Sequence, residues 1–211
     1  MRQISILCTD LQHPIYPELV RWAEQQAALA EIRIVQRSTD ASGGDILFLV
    51  SCHEIIKALV RARYRHTLVL HASALPQGKG MSPHVWQVLE GRNEITVTLL
   101  EAAEALDAGD IWHQLTVKFA ATALHDEIHQ ALFEAELALM SWALLHHDSV
   151  RPRPQTGSAS FYRKRNPADS RLDLDKPLRE SFNLLRIADP ARYPAFIEVD
   201  GVRFKIMIER M

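Results

Sequence analysis

Residues 46–71 read ILFLVSCHEIIKALVRARYRHTLVLH. Ile46 to Ser51 is a continuous apolar run, the composition of a strand covered on both faces. Thr67 to His71 is a second buried strand, and Ile55 to Arg63 between them reads as a helix. Strand, helix, strand is the unit of an open α/β sheet, and the same alternation continues on both sides. Ile4 to Cys8 is a short apolar strand. Pro17 to Leu29 is a helix with proline at its start and Leu19, Val20, Ala23 and Ala27 on one side. Glu31 to Gln36 is a β-branched strand, followed by the turn Ser42-Gly43-Gly44.

Beyond His71 the irregular segment Ala72 to Pro83 carries Pro76, Gly78, Gly80 and Pro83. A short helix from His84 to Glu90 ends at Gly91. Glu94 to Glu101 and Ile111 to Phe119 read as strands separated by the turn Ala108-Gly109-Asp110. The clearest helix runs from Leu124 to His147, with Leu124, Ile128, Leu132, Ala135, Leu139 and Trp142 at helical spacing. Its apolar stripe serves as core or as a face for a second copy in a homodimer. Asp126 and Glu127 in its first turn and His146 and His147 in its last suit the helix dipole. The pattern predicts an α/β fold with a mostly parallel sheet, and in such sheets ligands bind beyond the carboxyl ends of the strands. The loops after Val50 and Leu70 are therefore the expected functional edge. After residue 150 the chain becomes Pro-rich and then charged, with a short helix from Arg179 to Ile187 and a hairpin turning at Asp200-Gly201. This divides the chain into residues 1–150 and an extension, 151–211.

The chain has 211 residues and a formal net charge of -2, which argues against a basic nucleic-acid footprint. No apolar run approaches a membrane span, and the N-terminus lacks a signal-peptide pattern, so a cytoplasmic location is expected. Cys8 and Cys52, in apolar stretches, are read as reduced core thiols. The chain contains no G-x-G-x-x-G, no G-x-S-x-G and no P-loop: around Gly78-Lys79-Gly80-Met81-Ser82 the lysine precedes the second glycine. His125 and His129 stand four apart, but the intervening glutamate is out of the zincin order and no third ligand stands out. They are read as a solvated helix face, and no metal is expected. What remains is the segment His71 to Asp110, in which a histidine ending a buried strand and an acidic turn could do general acid–base work on an amine or acyl group.

That segment resembles the folate-dependent formyltransferase family, whose pattern is N-x-H-x-S-x-L-P, then a glycine, then L-D-x-G. The chain has Val69-Leu70-His71-Ala72-Ser73-Ala74-Leu75-Pro76, then Gly80, Pro83 and Trp86, then Leu106-Asp107-Ala108-Gly109-Asp110. A second block, Phe161 to Ser170 with Asn183-Leu184-Leu185-Arg186 and Tyr193-Pro194-Ala195-Phe196, is similar to the stretch after the catalytic core in sugar and tRNA formyltransferases. Lys79-Gly80-Met81-Ser82-Pro83 looks more like a compact branch that includes formyltransferases of pseudaminic-acid-type sugar pathways and the related formylation domains of peptide synthetases than like the tRNA enzymes.

The resemblance implies a compact Rossmann-like domain, shortened at its N-terminus by about one βα unit, with a small C-terminal hairpin. It implies transfer of a formyl group from N10-formyltetrahydrofolate to a primary amine, on a nucleotide-linked amino sugar or, alternatively, on methionyl-tRNA. A catalytically silent folate- or nucleotide-sugar-binding protein is the third reading. His71 is the implied proton-transfer or oxygen-polarising group, and Asp107 orients it, favours its protonated form or relays a proton. Ser51, Cys52, His53, Glu54, Ile55, Leu106 and Asp110 are the implied folate contacts. Ser73, Gly80, Ser82, Tyr162, Arg163, Arg165 and Arg186 are the implied acceptor contacts, the arginines facing a diphosphate and the tyrosine a base. One departure stands inside the motif: the family's asparagine falls on Val69, which has no hydrogen to donate to a developing oxyanion. Ser51, Cys52, Ser73 and loop N–H groups are the candidates to replace it.

Overall fold

The computed structural model describes residues 1–211. Its first strand, β1 (Arg2–Leu7), pairs in parallel with β2 (Ala30–Val35) on one side and with β3 (Gly44–Leu49) on the other. β3 pairs in parallel with β4 (Tyr64–His71). Beyond β4 the sheet turns antiparallel through β6 (Glu94–Glu101) and β7 (Ile111–Lys118), giving the order β2-β1-β3-β4-β6-β7. Every residue of Ile46 to Val50 is buried, and the two-residue period explains why all five are apolar. Ile46, Phe48 and Val50 enter the main core cluster, whereas Leu47 and Leu49 join a smaller one on the opposite face with Leu7, Ala41, Ile56 and Tyr64.

Helix α1 (Tyr16–Gln25) has proline in its first turn and buries Leu19 and Trp22. The long helix α4 (His125–His146) covers the main cluster with Ile128, Leu132, Leu139, Met140, Ala143 and Leu144. Its first turn is closed by Glu127, whose carboxylate accepts from the Leu124 backbone N–H at 2.9 Å. Trp142 lies between His113 and His146, stacked on each with ring centroids 4.5 Å apart.

The helix expected over Ile55 to Arg63 is reduced to α2 (Ala58–Arg61). Ile56 is instead an anchor in the smaller cluster, and its carbonyl accepts from the Arg61 guanidinium at 2.5 Å. Helix α3 (Pro83–Leu89) follows the irregular segment. The C-terminal part forms α5 (Leu178–Ile187) and an antiparallel hairpin, β9 (Ala195–Val199) with β10 (Val202–Ile206). Leu172, Leu185, Ala188 and Ala195 form a small core of their own beneath the hairpin. A two-residue parallel pairing of β5 (Lys79–Gly80) with β8 (Phe161–Tyr162), which the sequence pattern does not announce, joins this extension to the irregular segment. No helix is long and apolar enough to cross a membrane.

Candidate active site

β4 ends at the carboxyl edge of the parallel strands, and His71 is its last residue. Leu68 and Leu70 contribute to the main cluster, and Val69 packs on the other side, so alternation brings His71 out on the face of Val69. His71 is 7 % exposed. Its Nε2 lies 2.9 Å from the Gly78 carbonyl, and its Nδ1 lies 3.7 Å from Oδ1 of Asp107. Both ring nitrogens thus face acceptors, and a neutral imidazole can donate to only one of them.

Asp107 sits in the turn between β6 and β7 with φ +50°, a left-handed conformation that a non-glycine residue rarely adopts. Its second oxygen accepts from the Gly80 N–H at 2.9 Å. The turn rests directly on β6: a Cβ on Gly109 would lie 1.9 Å from the Glu101 carbonyl oxygen, so no side chain fits there. A Cβ on Gly80 would meet the Tyr162 carbonyl at 2.2 Å. Glycine is therefore required at both positions by backbone approach.

Residues 151–163 form a strap over this pair. Arg153 and Ile111 exchange two backbone hydrogen bonds at 2.8 and 2.9 Å. Gln155 Nε2 donates to the carbonyls of Asp107 and Gly109 at 2.8 and 2.9 Å. Ser160 accepts from Gly78 N–H through its hydroxyl and from Lys79 N–H through its carbonyl. Sequence reasoning missed Gln155 and Ser160. The Pro-rich run around them reads as a linker, and nothing in its pattern points back at residues 78 and 107.

The other expected residues fall into three groups. Ser51, with φ +48°, and His53 are joined to the loop after β1 through Thr9, whose hydroxyl donates to the Ser51 carbonyl and accepts from His53 N–H. Glu54 is exposed and accepts from Ser38 N–H. Ile55 is 90 % exposed and Leu106 64 %, so two loops at this edge present uncovered apolar side chains. Asp110 is exposed, and its carbonyl accepts from Glu101 N–H. Cys52 lies in this loop and not in a strand, and burial pushes its thiol up to about 11. Ser73 is buried, its hydroxyl has no hydrogen-bond partner, and it adjoins Gly78. Ser82 is exposed with φ +49° at the start of α3.

The arginines depart from expectation. Arg163 is held by a bidentate pair with Asp169, at 2.5 and 2.7 Å, which lowers that carboxyl to about 2. Arg165 donates to the Asp169 carbonyl. Both guanidinium groups lie near the Trp86 ring, which also stacks on Tyr162. The Tyr162 hydroxyl donates to Glu90 at 2.8 Å, and burial together with that contact pushes the phenol up to about 12. Arg186 departs furthest: it is only 1 % exposed, and the contacts it makes lie inside the protein. It donates to Asn183, to Asn93 and to the Arg92 carbonyl, tying α5 to the turn before β6.

A correction concerns His125 and His129. They are not a solvated helix face. Their rings lie 4.1 Å apart, and His129 packs edge-on against His84 of α3 at 5.0 Å. His13 joins them across Phe133, and Asp10, Asp189 and Arg192 border the group. Desolvation lowers His13 and His129 to about 4, holds His84 well below its usual range, and also lowers His125. No three His, Cys, Asp or Glu side chains converge in a metal-holding arrangement.

A histidine–aspartate pair thus lies on the carboxyl edge of the α/β sheet, bracketed by glycine-dependent turns. The formyl transferase family profile matches residues 12–144, and the chain belongs to that family. Among curated proteins it is 28 % identical over 173 residues to the methionyl-tRNA formyltransferase of Protochlamydia amoebophila (strain UWE25), covering 79 % of this chain and 54 % of that protein. The chain therefore spans about half the length of the curated relatives it matches. The fold is shared with a methionyl-tRNA formyltransferase from Clostridium thermocellum (TM-score 0.86, 19 % identity, 100 % of this chain and 94 % of that one). It is shared with a sugar N-formyltransferase from Shewanella sp. FDAARGOS_354 (0.77, 14 %, 100 % and 98 %). It is also shared with HypX from Aquifex aeolicus solved with tetrahydrofolic acid (0.78, 18 %, 99 % and 37 %).

Proposed function

We propose that the protein moves a formyl group from N10-formyltetrahydrofolate to a primary amine. The observation that carries this is the buried His71–Asp107 pair, set between the Gly78 carbonyl and the Gly80 N–H at the end of β4. N10-formyltetrahydrofolate supplies an activated formyl carbon. The exposed Ile55 and Leu106 suit the flat face of its ring system, and backbone groups of residues 51–55 and 106–110 suit its polar edge.

In transfer, the amine nitrogen bonds to the formyl carbon and the bond from that carbon to N10 breaks. One proton leaves the amine and one is gained at N10. An acceptor that arrives as an ammonium releases a further proton to solvent. His71 is placed to pass the proton or, when protonated, to donate to the oxygen that gains charge. Asp107 holds the ring at Nδ1 and favours the charged form as it appears.

For the acceptor we propose a nucleotide-linked amino sugar. Support comes from the likeness of the whole chain to sugar N-formyltransferase folds and from its slight negative charge. Methionyl-tRNA is the second reading, favoured by the sequence relatives and by the equally complete fold match to a methionyl-tRNA formyltransferase. The test is mass spectrometry of purified protein with N10-formyltetrahydrofolate, a panel of nucleotide-linked amino sugars, and methionyl-tRNA. One formyl group gained by a sugar is the expected result, and His71→Ala should lower its rate by about 10²–10⁴-fold while tetrahydrofolate binding stays within twofold. Transfer only to the tRNA would replace the sugar reading. Transfer to neither would overturn the enzyme reading in favour of a binding protein.

A further inference from the structure

The strap touches the Asp107 turn through one side chain. Gln155 spends its amide N–H groups on the Asp107 and Gly109 carbonyls, at 2.8 and 2.9 Å. The other end of the same amide, Oε1, is buried and has no hydrogen-bond partner. We propose that Gln155 is a positioning residue for the His71–Asp107 pair.

The positioning follows from how the turn is held. Asp107 keeps its left-handed backbone because three neighbours constrain it: Glu101 lies against Gly109, Gly80 N–H holds Oδ2, and Gln155 binds both carbonyls. Only the last comes from outside the segment 71–110. The glutamine is itself fixed on both sides, by the paired bonds of Arg153 to Ile111 and by the Ser160 contacts to Gly78 and Lys79. Releasing the turn lets Oδ1 move away from His71, to which it is already only loosely joined at 3.7 Å.

The catalytic half of this inference rests on the formyl-transfer reading; the ring titration does not. Gln155→Leu removes both ends of the amide, whereas Gln155→Glu keeps an oxygen acceptor and loses the donor. His71 ring nitrogens are followed by 15N NMR through a pH titration without ligand, in the wild type and in Gln155→Leu. Tetrahydrofolate affinity is read by calorimetry, and kcat and KM by the transfer assay. The expected result is a shifted His71 titration midpoint in Gln155→Leu and a fall in kcat of about 10–100-fold in both variants. An unshifted His71, with rate and affinities within twofold of wild type and only a lower Tm, overturns the proposal and leaves Gln155 a structural stitch. If the wild-type protein transfers no formyl group, the function fails, and the His71 titration still decides for or against Gln155.

Discussion

His71 and Val69 are two positions apart on one strand and emerge on the same face, about 7 Å apart along it. The first is polar and held by acceptors. The second is packed against Leu75, Leu100 and Ile111 and pairs with Leu49. Where the family motif has an amide, this chain has two methyl groups. Restoring it is therefore informative. Val69→Asn should raise kcat tenfold or more, because one missing oxyanion donor costs about 10²–10³ in rate. It should also lower unfolding stability by about 1–3 kcal/mol, since the new amide enters an apolar cluster. Steady-state kinetics and urea unfolding measure the two effects. A variant that loses stability without gaining rate places the donor elsewhere, and the buried, unpartnered Ser73 hydroxyl is then the first to substitute. The motif residues were readable in the sequence because they lie within forty positions. The state of Val69's surroundings was not, because Leu100 and Ile111 arrive from strands that only the sheet order brings alongside.

The histidine group is assembled from three elements: the loop after β1, α3 and α4. The helical period of α4 is plain in its sequence, but the imidazoles that meet its first turns come from residues 13 and 84, so spacing alone left His125 and His129 looking solvated. Their burial gives a pH dependence with a definite sign. His13 and His129 stay neutral in the fold down to about 4, whereas the unfolded chain takes up protons near 6.5. Stability contributed by these groups is complete above about 6.5 and is lost as pH falls toward 4. Glu136, on the same helix, acts oppositely: burial raises it to about 8, so its contribution is lost as pH rises from about 4.5 to 8. Urea unfolding at pH 4.5, 6.5 and 8 should therefore show a maximum near 6.5. His129→Leu should flatten the acid limb and Glu136→Gln the alkaline one. A stability curve unchanged by both substitutions would remove the burial argument.

At the scale of the molecule, the question is how residues 151–211 are attached. Composition alone marks a break near residue 150, and a Pro-rich run suggests a tether. The structure replaces the tether with stitches: β8 on β5, Gln155 on the Asp107 turn, Arg210 on Glu127 at the start of α4, and Arg186 on Asn93. Arg186 is the deepest of these and has no carboxylate partner, so its stability rests on amide and carbonyl acceptors and on the Phe119 ring. Arg186→Leu should cost about 2–4 kcal/mol in urea unfolding by leaving Asn93 and the Arg92 carbonyl unpaired, while acceptor KM stays unchanged. A raised KM at full stability would return this residue to the acceptor site.

The strap has a consequence for the order in which the protein comes into being. Synthesis delivers His71 and Asp107 first, and domains begin to fold from the N-terminal side as they emerge. A nascent chain that has reached residue 150 already carries both residues, the glycines between them and the six strands of the main sheet. It still lacks the amide that fastens the Asp107 turn and the serine that fastens the Gly78 loop. The last third of the chain therefore supplies the contacts that fasten these two loops after the first two thirds have supplied the loops themselves.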